Sequence, residues 1–407
     1  MSRGQLEQRL LVLVTLGLVA FGLVMVYSAT SAAAAIGAGN PMGFLQRQGI
    51  YALAGVCLMI GASRFDYHRL RNLAPALVLV ALALCLAVLV VSPAVKGARR
   101  WIDLGPASFQ PSEFAKLALA VWLAAYLARK PVPRSLAELW RPIGMLVGLF
   151  SLLLMLEPDL GTTIALVLMV AGTLVVAGVP FRVLGTAGAL TAGLGVVMIW
   201  IEPYRRARVF SFLNPWDDAQ GAGFQTVQAM IGMGSGGLAG EGLGQGVQKI
   251  FYLPEAHTDM IFAIVGEELG LIGSTFVIAA FGLFAYAGFR VALRCRDPFG
   301  KRLAAGLTSL VCGQAAVNLA AVLGVAPLTG IPLPFVSYGG SSLVVLLAGV
   351  GILLNIAVND RVTKKATVPD RGRRNGRTRA PVARDRGSAA RSRRQRDVRR
   401  VAGSRRG

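Results

Sequence analysis

Charged residues are scarce in this sequence: they make up 15% of its 407 residues, whereas hydrophobic residues make up 55%. A mean hydropathy of +0.60 is too high for a soluble domain of this length, which predicts a polytopic membrane protein. The first apolar run, Leu10–Met25, is not followed by a small-residue cleavage site and a polar sequence. We therefore expect it to be retained as the first membrane span.

Signatures of cysteine-based metal or redox sites and of a P-loop nucleotide site are also missing. The four cysteines lie in or beside apolar runs, without CxxC pairs or metal-ligand spacing, which favours a packing role. The glycines of 240–246 have no preceding strand and no Gly-Lys-Ser/Thr, which excludes a P-loop. No internal repeat is visible, which weighs against transporter folds built from repeated halves.

Apolar runs close to the ~20 residues that cross a bilayer recur along the chain. They predict an all-α polytopic membrane protein with about ten transmembrane helices. The predicted spans are 10–31, 46–63, 73–93, 112–128, 142–157, 160–178, 181–201, 259–291, 303–325 and 337–358.

The distribution of lysine and arginine predicts the orientation. An even number of spans puts both termini on one face, and the basic loops on that face make it cytoplasmic. The long loop 202–258, between helices 7 and 8, is then extracytoplasmic, and its glycines favour a flexible loop over a substrate. Basic residues left on that face indicate an anionic ligand or contacts with lipid headgroups: Arg47, Lys96, Arg99, Arg100, Arg205, Arg206, Arg208 and Lys249.

The C-terminal segment differs in composition from the rest of the chain. Residues 361–407 hold 18 Lys and Arg against three Asp, so they carry +15 of the net charge of +22. We expect a membrane domain over 1–360 and a disordered, Arg-rich cytoplasmic tail over 361–407. The tail could bind an anionic membrane surface, an acidic cytoplasmic partner or nucleic acid, or be only a solvated extension.

Two polar segments stand at predicted span boundaries on the extracytoplasmic face. Pro111-Ser112-Glu113 predicts a helix start, where the carboxylate favours the positive end of the helix dipole. Glu113 and Lys116 are three residues apart, so both side chains could instead face one cavity. In Glu157-Pro158-Asp159, the aspartate suits a helix cap, whereas the glutamate has no capping role and is a candidate for a polar cavity.

The segment before the eighth span concentrates titratable groups. Glu255, His257 and Asp259 come directly before the apolar run 260–265. Carboxylates inside a membrane are costly unless they face a cavity, a partner or water. Asp259 is either an N-terminal helix cap or a functional carboxylate; the helix terminus would lower its pKa and apolar neighbours would raise it.

A fourth segment, 329–342, precedes the last span. Its prolines, glycines and hydroxyl groups predict a rigid turn at the membrane boundary, whose backbone groups could line a polar site. Ser337 and Ser341 are the candidate ligands within it. A turn without a ligand is the alternative interpretation.

The four segments occur in order as RRWIDLGPASFQPSEFAKLAL, EPDLGTT, LPEAHTDMIFAIVGEELGLIG and GIPLPFVSYGGSSL. Together they resemble the shape, elongation, division and sporulation (SEDS) family of bacterial membrane proteins over most of residues 10–358. The third segment, with GLVMVYS at 22–28, is more similar to the division member of the family than to the elongation member. The Arg-rich tail is not part of the common pattern.

The resemblance implies a peptidoglycan glycosyltransferase of the cytoplasmic membrane, at the division septum. Such proteins polymerise lipid II, an undecaprenyl-pyrophosphate-linked disaccharide-pentapeptide, on the outer leaflet. They work with a class B penicillin-binding transpeptidase and, in division, with other membrane proteins of the division complex. The family's essential aspartate matches Asp259, and its acidic and basic residues in PSEFAK match Glu113 and Lys116.

Glycosyl transfer to a sugar hydroxyl requires a base near that hydroxyl and positive charge near the departing pyrophosphate. We assign the base to Asp259 and rank Arg100 and Lys116 first for the pyrophosphate. Glu113, Glu157 and Asp259 could supply oxygen ligands to Mg²⁺ or Mn²⁺, and no organic cofactor is expected. The full predicted substrate-binding set is Arg100, Glu113, Lys116, Glu157, His257, Ser337 and Ser341.

Two other functions remain open at this point. A lipid II flippase would move the precursor between leaflets without making bonds, and its polar residues should line a route through the bilayer. A non-catalytic scaffold would only recruit the transpeptidase. The polar segments gather on one predicted face, which favours chemistry at the membrane surface.

Overall fold

A computed structural model describes residues 3–35, 41–93, 98–103, 105, 108–250 and 253–366. Helices dominate these residues, and one short β-hairpin joins 102–103 to 108–109. The elements are α1 (Arg3–Ala35), α2 (Pro41–Arg64), α3 (His68–Val91), β1 (Ile102–Asp103), β2 (Ser108–Phe109), α4 (Pro111–Arg129), α5 (Leu136–Leu139), α6 (Met145–Leu156), α7 (Leu160–Ala177), α8 (Phe181–Ile201), α9 (Pro203–Leu213), α10 (Phe224–Ser235), α11 (Ile261–Arg294), α12 (Pro298–Val322) and α13 (Gly340–Ala366).

Eight helical stretches in the described residues are long and apolar enough to cross a membrane: α1, α3, α5 to α6, α7, α8, α11, α12 and α13. The predicted all-α membrane fold is therefore confirmed. Helices α2 and α4 coincide with the predicted spans 46–63 and 112–128 but fall outside those eight. The number of ten spans and their sidedness stay predictions.

The centre of the bundle is α12, which packs against α4, α7 and α11. Small residues allow these close contacts: Gly172 of α7 lies against Ser309, and Gly288 of α11 lies against Thr308. At the other extreme, only Val183 of α8 is buried, so the helix stands at the edge of the bundle with its apolar side chains outward.

Helices α1 and α11 run antiparallel, and a polar contact joins the two helices near each end. Near the start of α1, the carboxylate of Glu7 accepts a hydrogen bond from Arg294 at the end of α11. Near the end of α1, the hydroxyl of Ser28 donates to Glu268, 2.7 Å away. In an ideal helix Glu7 and Ser28 are about 30 Å apart, which matches the thickness of a bilayer core.

Helix α11 is broken at Gly270, whose φ of 63° and ψ of −154° are outside the helical region. The break leaves backbone N–H and C=O groups of α11 without partners in the helix. The preceding loop supplies hydrogen-bond partners for these groups. Leu271 N donates to Gly237 O at 3.0 Å, and Gly242 N donates to Glu268 O at 3.0 Å. The loop 202–258, predicted to be flexible from its glycines, thus contains two helices, α9 and α10, and a segment that is hydrogen-bonded to α11.

The last helix continues six residues beyond the predicted domain boundary at 360 and ends at Ala366. Residues 367–407, which form most of the predicted tail, lie outside the described residues. The division into a membrane domain and a tail therefore stays a prediction.

Candidate active site

Hydrogen bonds join the four polar segments at one end of the bundle. Gln110, directly before α4, donates from its backbone N to Ser341 Oγ at 3.2 Å. Its side-chain Nε2 donates to Asp159 Oδ2 at 3.1 Å. Gly161 packs against the fourth segment, because a Cβ placed there would lie 2.5 Å from Ile331. The first, second and fourth segments are therefore in direct contact. This agrees with their predicted location on one face of the membrane.

Two amides of α12 connect Lys116 to Asp259. Gln314 accepts a hydrogen bond from Lys116 Nζ at 3.1 Å and donates to Pro332 O, also at 3.1 Å. Asn318, four residues later, donates to Asp259 O at 2.7 Å and to Ile331 O at 2.8 Å. Residues four apart lie on one helix face, so these two contacts are separated by about one turn, ~6 Å along α12.

Glu113 and Lys116 form a buried ion pair in the first turns of α4. Lys116 Nζ donates to Glu113 Oε1 at 2.7 Å, and the two side chains are only 1% and 3% exposed. Pro111 begins the helix at its first position, as predicted, and Glu113 lies in the first turn. Within the described residues, Glu113 Oε2 has no hydrogen-bond partner. Glu113 thus lies in the first helical turn, as predicted, and contacts Lys116 directly. That both side chains face a cavity stays a prediction.

Asp259 lies two residues before α11 and is partly exposed. It does not cap the helix, because Met260 occupies the N-cap position and no side chain bonds there. Thr258 Oγ1 donates to Asp259 Oδ1 at 3.2 Å. A Cβ at Gly330 would lie 3.8 Å from Asp259 Oδ2 and 3.9 Å from Arg208 Nη1, so these two charged groups flank the same glycine. The φ of +72° at Gly330 also favours glycine.

Burial raises the pKa of Asp259 to about 6, and the nearby charge of Glu255 acts in the same direction. The hydrogen bond from Thr258 and the positive charge of Arg208 oppose this rise. Arg208 itself is held in place by a hydrogen bond from Nη1 to Leu328 O at 3.1 Å. A carboxylate whose pKa lies near 6 is ionised at neutral pH yet basic enough to accept a proton.

Glu157 and Arg100 meet at the turn between α6 and α7. Glu157 is fully buried, and in the described part of the chain neither carboxylate oxygen has a hydrogen-bond partner. Burial raises the pKa of Glu157 to about 8, Asp159 adds to the rise, and Arg100 opposes it. Arg100 Nε donates to Glu157 O at 2.8 Å, and its guanidinium also donates to Pro158 O. Asp159 caps α7, as predicted, by accepting from Thr162 N at 3.0 Å.

The other predicted ligands contact the protein itself. His257 packs its ring against Phe44 and Tyr338, with ring centroids 5.1 and 5.5 Å away. Ser337 Oγ accepts from Leu333 N at 2.7 Å, and Ser341 Oγ accepts from Gln110. These bonds stabilise the turn of 329–342; a role in substrate binding stays a prediction for all three residues.

The three carboxylates predicted as metal ligands do not form a common cluster. Across the described ranges, no group of three or more His, Cys, Asp and Glu side chains could hold a metal ion. Glu113 is already paired with Lys116, and Glu157 is fully buried. The residues therefore do not fit a cation site made by the protein alone. A requirement for Mg²⁺ or Mn²⁺ stays untested.

The sequence predicted Arg100 and Lys116 ahead of Arg208 for the pyrophosphate, and it did not single out Gln110, Gln314 or Asn318. A signal was present for the last two: they are polar residues four apart on an otherwise apolar predicted span. No comparable signal marks Arg208, because it is one of three arginines within 205–208.

The FtsW/RodA/SpoVE family model, described as "Cell cycle protein", matches residues 8–362. The chain belongs to this family. The resemblance to SEDS proteins found in the four segments is thus confirmed.

Relatives in this family are similar along almost their whole length. The "Probable peptidoglycan glycosyltransferase FtsW" of Geobacter sulfurreducens is 42% identical over 350 residues, covering 85% of this chain and 94% of that protein. "Stage V sporulation protein E" of Bacillus subtilis is 41% identical over 356 residues, covering 86% and 96%.

Solved structures of the FtsW/RodA/SpoVE family share the fold. A chain from "Structural coordination of polymerization and crosslinking by a peptidoglycan synthase complex" superposes with a TM-score of 0.72 at 32% identity, covering 86% of this chain and 97% of that one. The rod shape determining protein RodA of Thermus thermophilus superposes with a TM-score of 0.63 at 31% identity, covering 86% and 96%. The chain is therefore an integral membrane protein with a FtsW/RodA-like fold.

Proposed function

We propose that this chain is a peptidoglycan glycosyltransferase that polymerises lipid II, with Asp259 as the general base. The observation that carries the proposal is the setting of Asp259: a partly exposed carboxylate, basic because of its surroundings, beside Arg208. The relatives named peptidoglycan glycosyltransferase FtsW supply the substrate class.

In the proposed reaction, a sugar hydroxyl attacks the anomeric carbon of a second lipid-linked chain. Asp259 accepts the hydroxyl proton as the new C–O bond forms, and the bond to the lipid pyrophosphate breaks. A single displacement of this kind inverts the α-linked donor into a β-linked polymer.

Arg208 replaces Arg100 and Lys116 as the first choice for stabilising the pyrophosphate. Lys116 is 1% exposed and its ammonium is held between Glu113 and Gln314. Arg100 is bound to two backbone carbonyls of the turn at 157–158. Arg208 is partly exposed and acts electrostatically on Asp259, so it can neutralise charge close to the base.

The alternative of a flippase is less favoured, because the cavity next to the site is apolar. One helical turn from Gln314, the bundle contains a cavity lined only by Leu, Val, Phe and Gly, including Leu117 and Leu310. A polar headgroup crossing the bilayer would need polar contacts there. The remaining alternative, a non-catalytic scaffold, does not need a proton-accepting side chain at position 259.

Purified full-length protein incubated with lipid II in detergent, with and without its transpeptidase, separates the three functions. Glycan polymer that is resistant to transpeptidase inhibitors supports the enzyme. Transfer of labelled lipid II between vesicle leaflets without polymer supports the flippase. Neither activity, together with stable binding of the transpeptidase, supports the scaffold. Addition of EDTA, followed by Mg²⁺ or Mn²⁺, tests the metal.

We also propose a cellular role, on the basis of the same relatives. We infer a class B penicillin-binding transpeptidase as partner, because a similar chain comes from a peptidoglycan synthase complex. Action in division, at the septum and with other division proteins, is proposed from the FtsW relatives. Contact of the Arg-rich tail with an anionic membrane surface or an acidic partner remains a proposal from composition.

The polymerisation rate should depend on the ionisation of Asp259. The base works only as a carboxylate and its pKa is about 6. We therefore expect kcat/KM to fall about tenfold per pH unit below that value and to level off above it. Initial rates between roughly pH 5 and 8 measure this profile. Arg208→Gln removes a charge that lowers the pKa of Asp259, so the ascending limb of its profile should move to higher pH. An unmoved limb would contradict the electrostatic effect of Arg208 on Asp259.

A further inference from the structure

Lys249 and Glu268 form a buried ion pair to which the proposed reaction assigns no role. Lys249 Nζ donates to Glu268 Oε1 at 2.7 Å, and the side chains are 3% and 0% exposed. Ser28 of α1 completes the cluster, accepting from Lys249 Nζ at 3.2 Å and donating to Glu268. Because the ammonium group is buried and bonded to Ser28 and Glu268, Lys249 is not available for the pyrophosphate, although the sequence made it a candidate.

The neighbouring glutamate fixes the same loop through its backbone. Glu267 Oε1 accepts hydrogen bonds from Val247 N at 2.6 Å and from Gln248 N at 3.0 Å. Glu267 and Glu268 thus hold three consecutive loop residues, two by amides and one by its side chain. The loop also pairs with the backbone of α11, since Glu241 N donates to Glu267 O at 3.0 Å.

This anchor lies in the same loop as Asp259. Asp259 lies between Lys249 and Glu268 in the sequence, so the ion pair closes a loop that contains it. On the other side, Tyr338 N donates to His257 O at 2.9 Å and Asn318 holds Asp259 O. The loop is therefore held at Lys249, ten residues before Asp259, and again at His257 and Asp259.

We propose that Lys249, through its ion pair with Glu268, is a positioning residue for Asp259. The inference rests on the proposed function, because it assumes that Asp259 is the base. Loss of one partner leaves a charge buried and unpaired, which forces the loop to rearrange. Displacement of a reacting group by about 1 Å can lower a rate ~10²-fold.

The test compares Lys249→Met with Glu7→Gln in full-length protein, given lipid II together with the transpeptidase. Glu7→Gln is the matched control, because it breaks the buried ion pair between α1 and α11 at the end opposite to the Ser28–Lys249–Glu268 cluster. Both variants should be less stable to heat. Per folded molecule, only Lys249→Met should lose kcat, by about 10²-fold, with KM for lipid II within about threefold of wild type.

The double variant Lys249→Met/Glu268→Gln removes both charges and should recover about tenfold of the lost kcat, because no unpaired charge remains. If Lys249→Met does not fold, the double variant serves instead, with an expected kcat about tenfold below wild type.

Three outcomes would overturn the inference. One is a wild-type kcat for Lys249→Met or, where that variant does not fold, for the double variant. The second is an equal loss of kcat in Glu7→Gln, which would mean general destabilisation. The third is a double variant with no more activity than the single one. The variant Asp259→Asn distinguishes these failures from failure of the proposed function. Full activity of Asp259→Asn would mean that Asp259 is not the general base.

Discussion

Replacing Asp259 with asparagine should lower kcat for lipid II polymerisation by about 10²–10⁴-fold, the usual contribution of a general base. Asparagine keeps the size of the side chain but cannot accept a proton. The hydrogen bond from Asn318 goes to the backbone of Asp259, so it should survive the change. We therefore expect a folded protein that still binds lipid II, with the loss in kcat and little change in KM.

The matched control is Asp217→Asn, which removes an exposed carboxylate from the same loop. It should polymerise at the wild-type rate. Gel separation of labelled glycan gives both rates, and complementation in cells gives the growth phenotype. Normal division by cells that carry Asp259→Asn would favour a scaffold over an enzyme.

Removal of Lys116 should cost about 3–5 kcal/mol of stability, because Glu113 would remain charged and unpaired inside the protein. The ion pair is almost completely buried, so water cannot replace the lost partner. Lys116→Met keeps the length and apolar stem of the side chain. Thermal unfolding in detergent should show a large decrease in the midpoint, and activity should fall with the fraction of folded protein.

The double variant Lys116→Met/Glu113→Gln should recover most of that stability, since it leaves no isolated charge. Lys130→Met provides the control, because Lys130 is exposed just beyond the end of the same helix. Its effect should stay within about 0.5 kcal/mol. Equal destabilisation by the single and double variants would mean that Lys116 does not stabilise the protein through its ion pair with Glu113.

The fold class and the grouping of the site could be predicted because both follow from hydrophobicity. Long apolar runs have few alternatives to membrane helices, and the polar segments between alternate runs must emerge on the same face. Gln110, bonded to both Asp159 and Ser341, shows how closely those segments meet. The start of α4 at Pro111 and the cap at Asp159 were predictable for a local reason: proline and aspartate have strong preferences there.

The pairing of individual charges could not be predicted, because it depends on distances between segments far apart in the sequence. Arg208 lies beside Asp259, whereas Lys249, ten residues from that aspartate, turns away to Glu268. Composition also did not predict the two helices within the loop 202–258. Its glycines indicated flexibility, yet α10 forms there because its apolar residues pack against α11.

The break at Gly270 also constrains how this protein enters the membrane. A helix with interrupted backbone hydrogen bonds is unstable in lipid unless other groups satisfy it. Those groups come from Gly237, Leu238 and Gly242, which precede the break in the chain and therefore leave the ribosome before it does. The partner for the broken helix is thus already synthesised when α11 is inserted, so the loop and the helix can assemble as a single unit during translation.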